Sequence, residues 1–182
     1  MFYLLSKYPP EQVGTTWIIE SKPFQPALKA GDLLAFSLRA NPVIQAKQQR
    51  TEEQALQHAA QRKANNLPEK MTKKRIHHDV VMSFKSSLSA SELEHYSQAE
   101  LEQLAGEQWL KQRAEKSGFL LHSVIAQGYQ QHHFKKRQIK ISTLDFEGVL
   151  EVADPALFIQ KMYEGLGRSK AFGCGLLMIK RL

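Results

Sequence analysis

The 182-residue sequence predicts an α+β protein of short strands and capped helices, with a ferredoxin-like unit in its second half. Three observations predict it. Two capping boxes, Thr51-Glu-Glu-Gln54 and Ser97-Gln-Ala-Glu100, each open a helical stretch. Asp154-Pro155 supplies an N-cap followed by proline at the first helical position, which starts another helix. Between these helices lie β-branched and aromatic runs bounded by glycine and proline, the signature of strands.

Taken in order, Tyr3–Ser6 and Thr16–Glu20 are expected strands, separated by a loop at Pro9, Pro10 and Gly14. Lys29-Ala-Gly-Asp32 turns into an apolar strand, Leu33–Leu38. That strand is expected to end at Arg39-Ala-Asn-Pro42, because proline has no N–H for the ladder. The first capping box gives a helix to Ala64, and Pro68–Arg75 is expected to be a basic linker. His77–Phe84 follows as a strand or loop. The second capping box leads into Leu101, Leu104, Ala105 and Trp109 at helical spacing, with Gly118 as a left-handed stop. Phe119–Ala126 is the next strand and Gly128–Lys136 a polar, basic tip. Gln138–Val152 is extended again, with Leu144, Phe146, Leu150 and Val152 on one face. The last helix runs to Glu164, a glycine-rich loop follows, and Leu176–Lys180 closes the chain as a strand. With a first strand near Val80, the second half reads β-α-β-β-α-β, the split βαβ motif. The expected organisation is a partial N-terminal unit over 1–67, a linker over 68–75 and a complete unit over 76–182.

Composition narrows the function classes. The formal charge is +7, which favours a polyanionic partner, and its distribution says more. No acidic residue occurs from Lys116 through Leu144, or after Glu164, although both stretches carry lysine and arginine. Between Lys47 and Arg75 there are eight basic residues against three acidic ones. The acids gather in Glu92–Glu115, as the solvated face of a helix would. No apolar run approaches the roughly 18 residues that span a bilayer, and the start lacks a signal-peptide pattern. Cys174 is the single cysteine. It rules out an internal disulfide and a Cys-x-x-Cys zinc site, and suits a reducing cytoplasm.

Two motifs could carry function. Gly165-Leu-Gly-Arg-Ser-Lys-Ala-Phe-Gly-Cys-Gly175 combines Gly165, Gly167, Gly173 and Gly175 with Arg168 and Lys170. Glycines allow close backbone approach and the cations can hold phosphates. A nucleotide cradle runs from strand into helix, and this loop runs from helix into strand, so that reading fails. The plain alternative is a helix stop with a tight turn. The second motif is Lys135-Lys-Arg-Gln-Ile-Lys140, with Tyr129, His132 and His133 just before it. As a hairpin it could lie along RNA through Lys135, Lys136, Arg137 and Lys140, or be a solvated tip whose charge blocks edge pairing. Their occurrence within one domain favours the RNA reading. The seven histidines show no signature of a metal or catalytic site.

Three collinear segments resemble the CRISPR-associated CasE family: Phe36-Ser-Leu-Arg-Ala-Asn-Pro42, Phe146-Glu-Gly-Val-Leu150, and Gly165 through Leu176. Glu20-Ser-Lys-Pro-Phe24, Trp109-Leu110 and Gly118-Phe119 fit between them. The resemblance implies tandem ferredoxin-like (RRM-like) domains, the first incomplete at its N-terminus. It implies binding and metal-independent cutting of CRISPR repeat RNA beside its stem-loop, by 2′-hydroxyl attack giving a 2′,3′-cyclic phosphate. It implies the other Cascade subunits as partners, with no membrane and no cofactor. Arg168 and Lys170 would sit near the RNA backbone, Lys135–Lys140 would grip the stem, and Arg39 would end the strand that faces it. The family begins with a strand, a helix carrying the catalytic histidine, and another strand. Met1–Ser6 already resembles the third strand, so no catalytic or metal-binding residue is assigned. Two alternatives stand: a fragment of the nuclease, which is favoured, or a short RNA-binding structural subunit that does not cut.

Overall fold

The computed structural model describes residues 3–14, 16, 18–49, 51–65, 73–134 and 139–182. A four-stranded antiparallel sheet forms its centre, built from β1 (Leu33–Ala40), β4 (Phe119–Phe134), β5 (Ile139–Val152) and β6 (Leu177–Arg181), in the order β4-β5-β1-β6. Helices α4 (Gln98–Ala114) and α5 (Pro155–Glu164) complete the order β1-α4-β4-β5-α5-β6. That is the split βαβ arrangement of a ferredoxin-like unit. An arm leaves the end of β1: β2 (Val43–Gln49), α1 (Glu52–Ala64) and β3 (Lys73–Asp79), with β2 and β3 paired antiparallel. Two short helices, α2 (Val80–Ser87) and α3 (Ala90–Leu93), lead back to α4.

The alternation of β1 explains its place. Leu34, Phe36, Leu38 and Ala40 point inward and are buried, while Leu33 and Arg39 are exposed. Leu144, Phe146, Leu150 and Val152 of β5 do the same, as the sequence predicts. These faces pack on Ala105, Trp109, Leu110 and Ala114 of α4 and on Phe158 and Met162 of α5. Each fully buried aliphatic or aromatic side chain contributes about 1.5–3 kcal/mol over an exposed one, so this layer fixes the sheet beneath the helices. Gly106 sets how close α4 comes. A Cβ there would lie 2.6 Å from the Ala126 Cβ and 2.8 Å from Leu144 Cδ2.

Helix signals work where side chains supply the cap. The Ser97 hydroxyl accepts from the Glu100 N–H, and the Glu100 carboxylate accepts from the Ser97 N–H. Asp154 caps α5 by accepting from the Leu157 N–H at 3.0 Å. Thr51 caps α1, as expected. Gly118 takes φ 76° after a 3-10 turn, Glu115–Ser117, and its carbonyl accepts from the N–H groups of Ala153 and Asp154, both 2.9 Å. The end of α4 is thereby tied to the start of α5.

Several expectations are corrected. Tyr3–Ser6 and the described part of Thr16–Glu20 are not strands; β propensity without a partner edge does not make a ladder. Thr15 and Trp17 lie outside the described residues. β1 does end at Ala40, just before Pro42, as expected; the chain then resumes as β2 in a separate ladder, and the Pro42 carbonyl accepts from the Val80 N–H at 3.0 Å. Lys73–Arg75, expected as linker, belongs to β3. His77–Phe84 is split, because Asp79 accepts from the Met82 N–H at 2.8 Å and caps a helix there. The first strand of the ferredoxin-like unit is therefore β1, not a strand near Val80. Its ladders to β5 and β6 cross the boundary expected over 68–75. Gly128–Phe134, expected as part of a tip, is strand: β4 runs on to Phe134 through a bulge between Gln127 and Gln130, where Gly128 has φ 72°. Among the described residues no helix is long and apolar enough to cross a membrane.

Candidate nucleic-acid interface

The glycine loop begins where Gly165 ends α5 with φ 73°, its N–H bonded to the Lys161 carbonyl. Its neck is a backbone bond from the Leu166 N–H to the Gly175 carbonyl, 2.8 Å. Glycine is required here: a Cβ on Gly175 would meet the Leu166 carbonyl oxygen at 2.6 Å, in a left-handed conformation that side chains avoid. The Gly175 N–H then bonds the Arg39 carbonyl at 2.7 Å, and Arg168 forms an isolated bridge with Asn41. The loop is thus stitched to the end of β1. Leu166 and Cys174 turn inward and are buried, and burial pushes the Cys174 thiol upward, away from reactivity. Arg168 and Lys170 turn outward. The turn over Lys170–Phe172 is closed by a bond from the Gly173 N–H to the Lys170 carbonyl. The glycines therefore do serve a tight turn, and that turn presents two cations.

The basic hairpin reaches the same edge. Phe134 at the end of β4 packs its ring on Phe172 of the loop, with centroids 5.2 Å apart and planes tilted by 38°. Lys140 stands exposed opposite His133. Lys135, Lys136 and Arg137 lie outside the described residues. The two predicted motifs, far apart in sequence, are joined by one aromatic contact.

Arg39 lies near the end of β1. It lies on the open face of the sheet and donates two hydrogen bonds to Asp145, both 2.6 Å. The carboxylate raises its pKa, chiefly through the hydrogen bond. The open faces of β1 and β5 carry Leu33, Ala35, Ser37 and Arg39 against Asp145, Glu147, Val149 and Glu151. Glu151 is also bonded to His122 at 2.7 Å. This part of the open face sets the carboxylates of Asp145, Glu147 and Glu151 against Arg39 and His122, a poor setting for phosphates. Among the described residues of the two motifs, the exposed cations are Arg168 and Lys170 on the loop and Lys140 on β5.

One pair escaped the sequence reading. Trp109 and Arg113, one turn apart on α4, both reach β2: the Trp109 Nε1–H and an Arg113 Nη2–H donate to the Val43 carbonyl, at 3.2 and 3.0 Å. Arg113 lies over the indole ring, 4.2 Å from its centroid. Their spacing of four was visible, but only as core periodicity.

Fold and edge together define the class: a ferredoxin-like protein with a cationic, glycine-rich margin. The chain belongs to the family described as CRISPR associated protein, matching it over residues 1–181. The CRISPR-associated endoribonuclease Cse3 of Thermus thermophilus is 26% identical over 180 residues, covering 91% of this chain and 64% of that protein. The structure of Thermus thermophilus Cse3 bound to an RNA representing a pre-cleavage complex matches with a TM-score of 0.54 and 27% identity, over 87% of this chain and 58% of that one. Cas6e from Escherichia coli K-12 shares the fold, with a TM-score of 0.51, 23% identity, and coverage of 88% and 66%. The chain thus spans under two thirds of the length of Cse3.

Proposed function

We propose that this chain binds the stem-loop of a CRISPR repeat RNA along the edge formed by the glycine loop and the β4–β5 hairpin. The observation that carries the reading is the Phe134–Phe172 contact, which sets the end of β4 against the glycine loop. Arg168, Lys170 and Lys140 supply the phosphate contacts, and Lys135, Lys136 and Arg137 extend them. Gly165, Gly167, Gly173 and Gly175 let the loop backbone come close. Arg39 acts one step away, by holding the end of β1. Membership in the family described as CRISPR associated protein and similarity to a named endoribonuclease support pre-crRNA processing as the role of the whole protein, by metal-independent 2′-hydroxyl attack giving a 2′,3′-cyclic phosphate. The other Cascade subunits are its proposed partners, and the lone cysteine fits a cytoplasmic setting. The ladders of β1 support one ferredoxin-like domain over 33–182, with the β2–α1–β3 arm as an insertion and the preceding segment as part of a second unit.

Two assays test this. Competition between a repeat stem-loop and an unstructured RNA of the same composition should favour the stem-loop; equal competition overturns the binding site. Incubation in EDTA then separates processing from the alternative, a non-catalytic RNA-binding subunit. Product ending in a cyclic phosphate supports the first, and intact RNA supports the second.

A further inference from the structure

A cleft opens between the glycine loop and the C-terminal half of α4. It is lined by Asn41, His77, Trp109, Arg113, Gly167 and Arg168 among others, and among the described residues no carboxylate lines it. We infer that this cleft is a phosphodiester site for the RNA, in which the Arg113 guanidinium is the anchoring cation and Arg168 closes the other side. The inference rests on the RNA reading above and adds a contact outside both basic motifs.

Arg113 carries the argument. It is half-buried, and burial lowers its pKa, yet a guanidinium remains charged at any physiological pH. A buried charge is costly unless it is paired. Among the described residues Arg113 has no carboxylate partner. Its Nη1 donates to the Trp109 carbonyl at 2.9 Å and its Nη2 to the Val43 carbonyl at 3.0 Å. A guanidinium has five N–H donors in a planar fork, so three remain without an acceptor among the described residues. The Trp109 ring at 4.2 Å fixes the plane of the fork and stabilises its charge. Carbonyls and a ring can hold the cation; they do not neutralise it.

The opposite wall strengthens the case. Gly167 runs so close to α4 that a Cβ would lie 3.4 Å from the Trp109 ring. Arg168 follows directly, exposed and without a carboxylate partner among the described residues. Two arginines on one cleft repel each other. An anion between them removes that repulsion and fills the free donors, and forked arginine donors match phosphate oxygens. The cleft is continuous with the loop whose cations face the RNA, so an RNA phosphate is the anion within reach.

The experiment compares the wild type with Arg113→Gln, both confirmed folded by circular dichroism. The RNA is a repeat stem-loop with single-stranded flanks, carrying a neutral methylphosphonate at successive positions. The inference expects R113Q to bind roughly tenfold more weakly, with the salt slope reduced by about one. It also expects one methylphosphonate to weaken the wild type by the same factor while leaving R113Q unchanged. A folded R113Q with wild-type affinity and slope, while the wild type binds RNA, overturns the inference and leaves the RNA reading intact. A wild type that binds no RNA overturns both. Should R113Q not fold, the Arg113 Nε–H resonance of the wild type decides. It should shift with native RNA and not with the methylphosphonate RNA; equal shifts overturn the inference. Inorganic phosphate alone should move that resonance only at millimolar concentration. Saturation by phosphate at concentrations where RNA has no effect would assign the site to free phosphate instead.

Discussion

Arg39 on β1 and Asp145 on β5 face each other in the sheet register and share two hydrogen bonds of 2.6 Å. The pair lies at the end of β1 where the glycine loop is stitched on, through the Gly175 N–H to the Arg39 carbonyl. The Arg39 side chain is more than half exposed, so solvent screens the pair and it contributes at most about 1 kcal/mol. Arg39→Gln should therefore lower stability only slightly. If Arg39 acts by position and not by touching RNA, adding Asp145→Asn should restore the RNA affinity that R39Q loses. A double variant as weak as the single one would make Arg39 a direct contact.

Phe134 and Phe172 hold the hairpin against the loop. Aromatic pairs of this kind contribute about 0.5–1.5 kcal/mol beyond their buried area. Phe134→Ala should speed amide hydrogen exchange in Phe172 and Gly173 and weaken RNA binding, with the core strands β1 and β5 unaffected. Unchanged exchange in the loop would show that the contact does not couple the two segments.

Gly106→Ala sets two effects against each other. Alanine gains about 1 kcal/mol of helix propensity, but its Cβ would stand 2.6 Å from Ala126 Cβ, and overpacking costs about 1–3 kcal/mol. Packing should win, lowering Tm by a few degrees, roughly 2–4 °C for each kcal/mol lost. A raised Tm would mean that α4 can lift off the sheet without penalty.

Much of this was legible in the sequence because it is encoded locally. The capping box at Ser97, the side-chain caps at Thr51 and Asp154 and the left-handed stop at Gly118 are short-range signals, and the structure shows each; at Thr51 only the Thr51 half of the expected box is formed. The burial of Leu144, Phe146, Leu150 and Val152 followed from strand alternation. What was not legible depends on long-range pairing. Nothing in Leu33–Ala40 says that it will lie between β5 and β6, so the first strand of the unit was sought near Val80. The glycine loop and the hairpin were identified as motifs, but only a contact between distant rings places them together. Arg113 was hidden because its carbonyl partner Val43 lies 70 positions away. The Asp145 partner of Arg39, 106 positions away, was hidden for the same reason.

The capping boxes also give a pH dependence. Hydrogen bonds from the Ser97 N–H and hydroxyl lower the Glu100 pKa, and the Ser89 hydroxyl and N–H do the same for Glu92. Each group is held in its charged form, so its stabilisation is complete above the ordinary carboxylate value of 4.5 and is lost as pH falls through the lower folded value. Helical circular dichroism should decline in that acid range. Ser97→Ala should cost about 1 kcal/mol at neutral pH and make the acid decline shallower. An acid profile identical to the wild type would separate Glu100 from the capping of α4.

The central claim is that the glycine-loop edge meets RNA phosphates. Its most direct test is the dependence of log K on log salt concentration for a repeat stem-loop, measured for the wild type and for Arg168→Gln combined with Lys170→Gln. Each phosphate contact contributes a little under one to the slope. The wild type should show a steep negative slope, and the double variant should lose about two from it. The same slope in both proteins would contradict it.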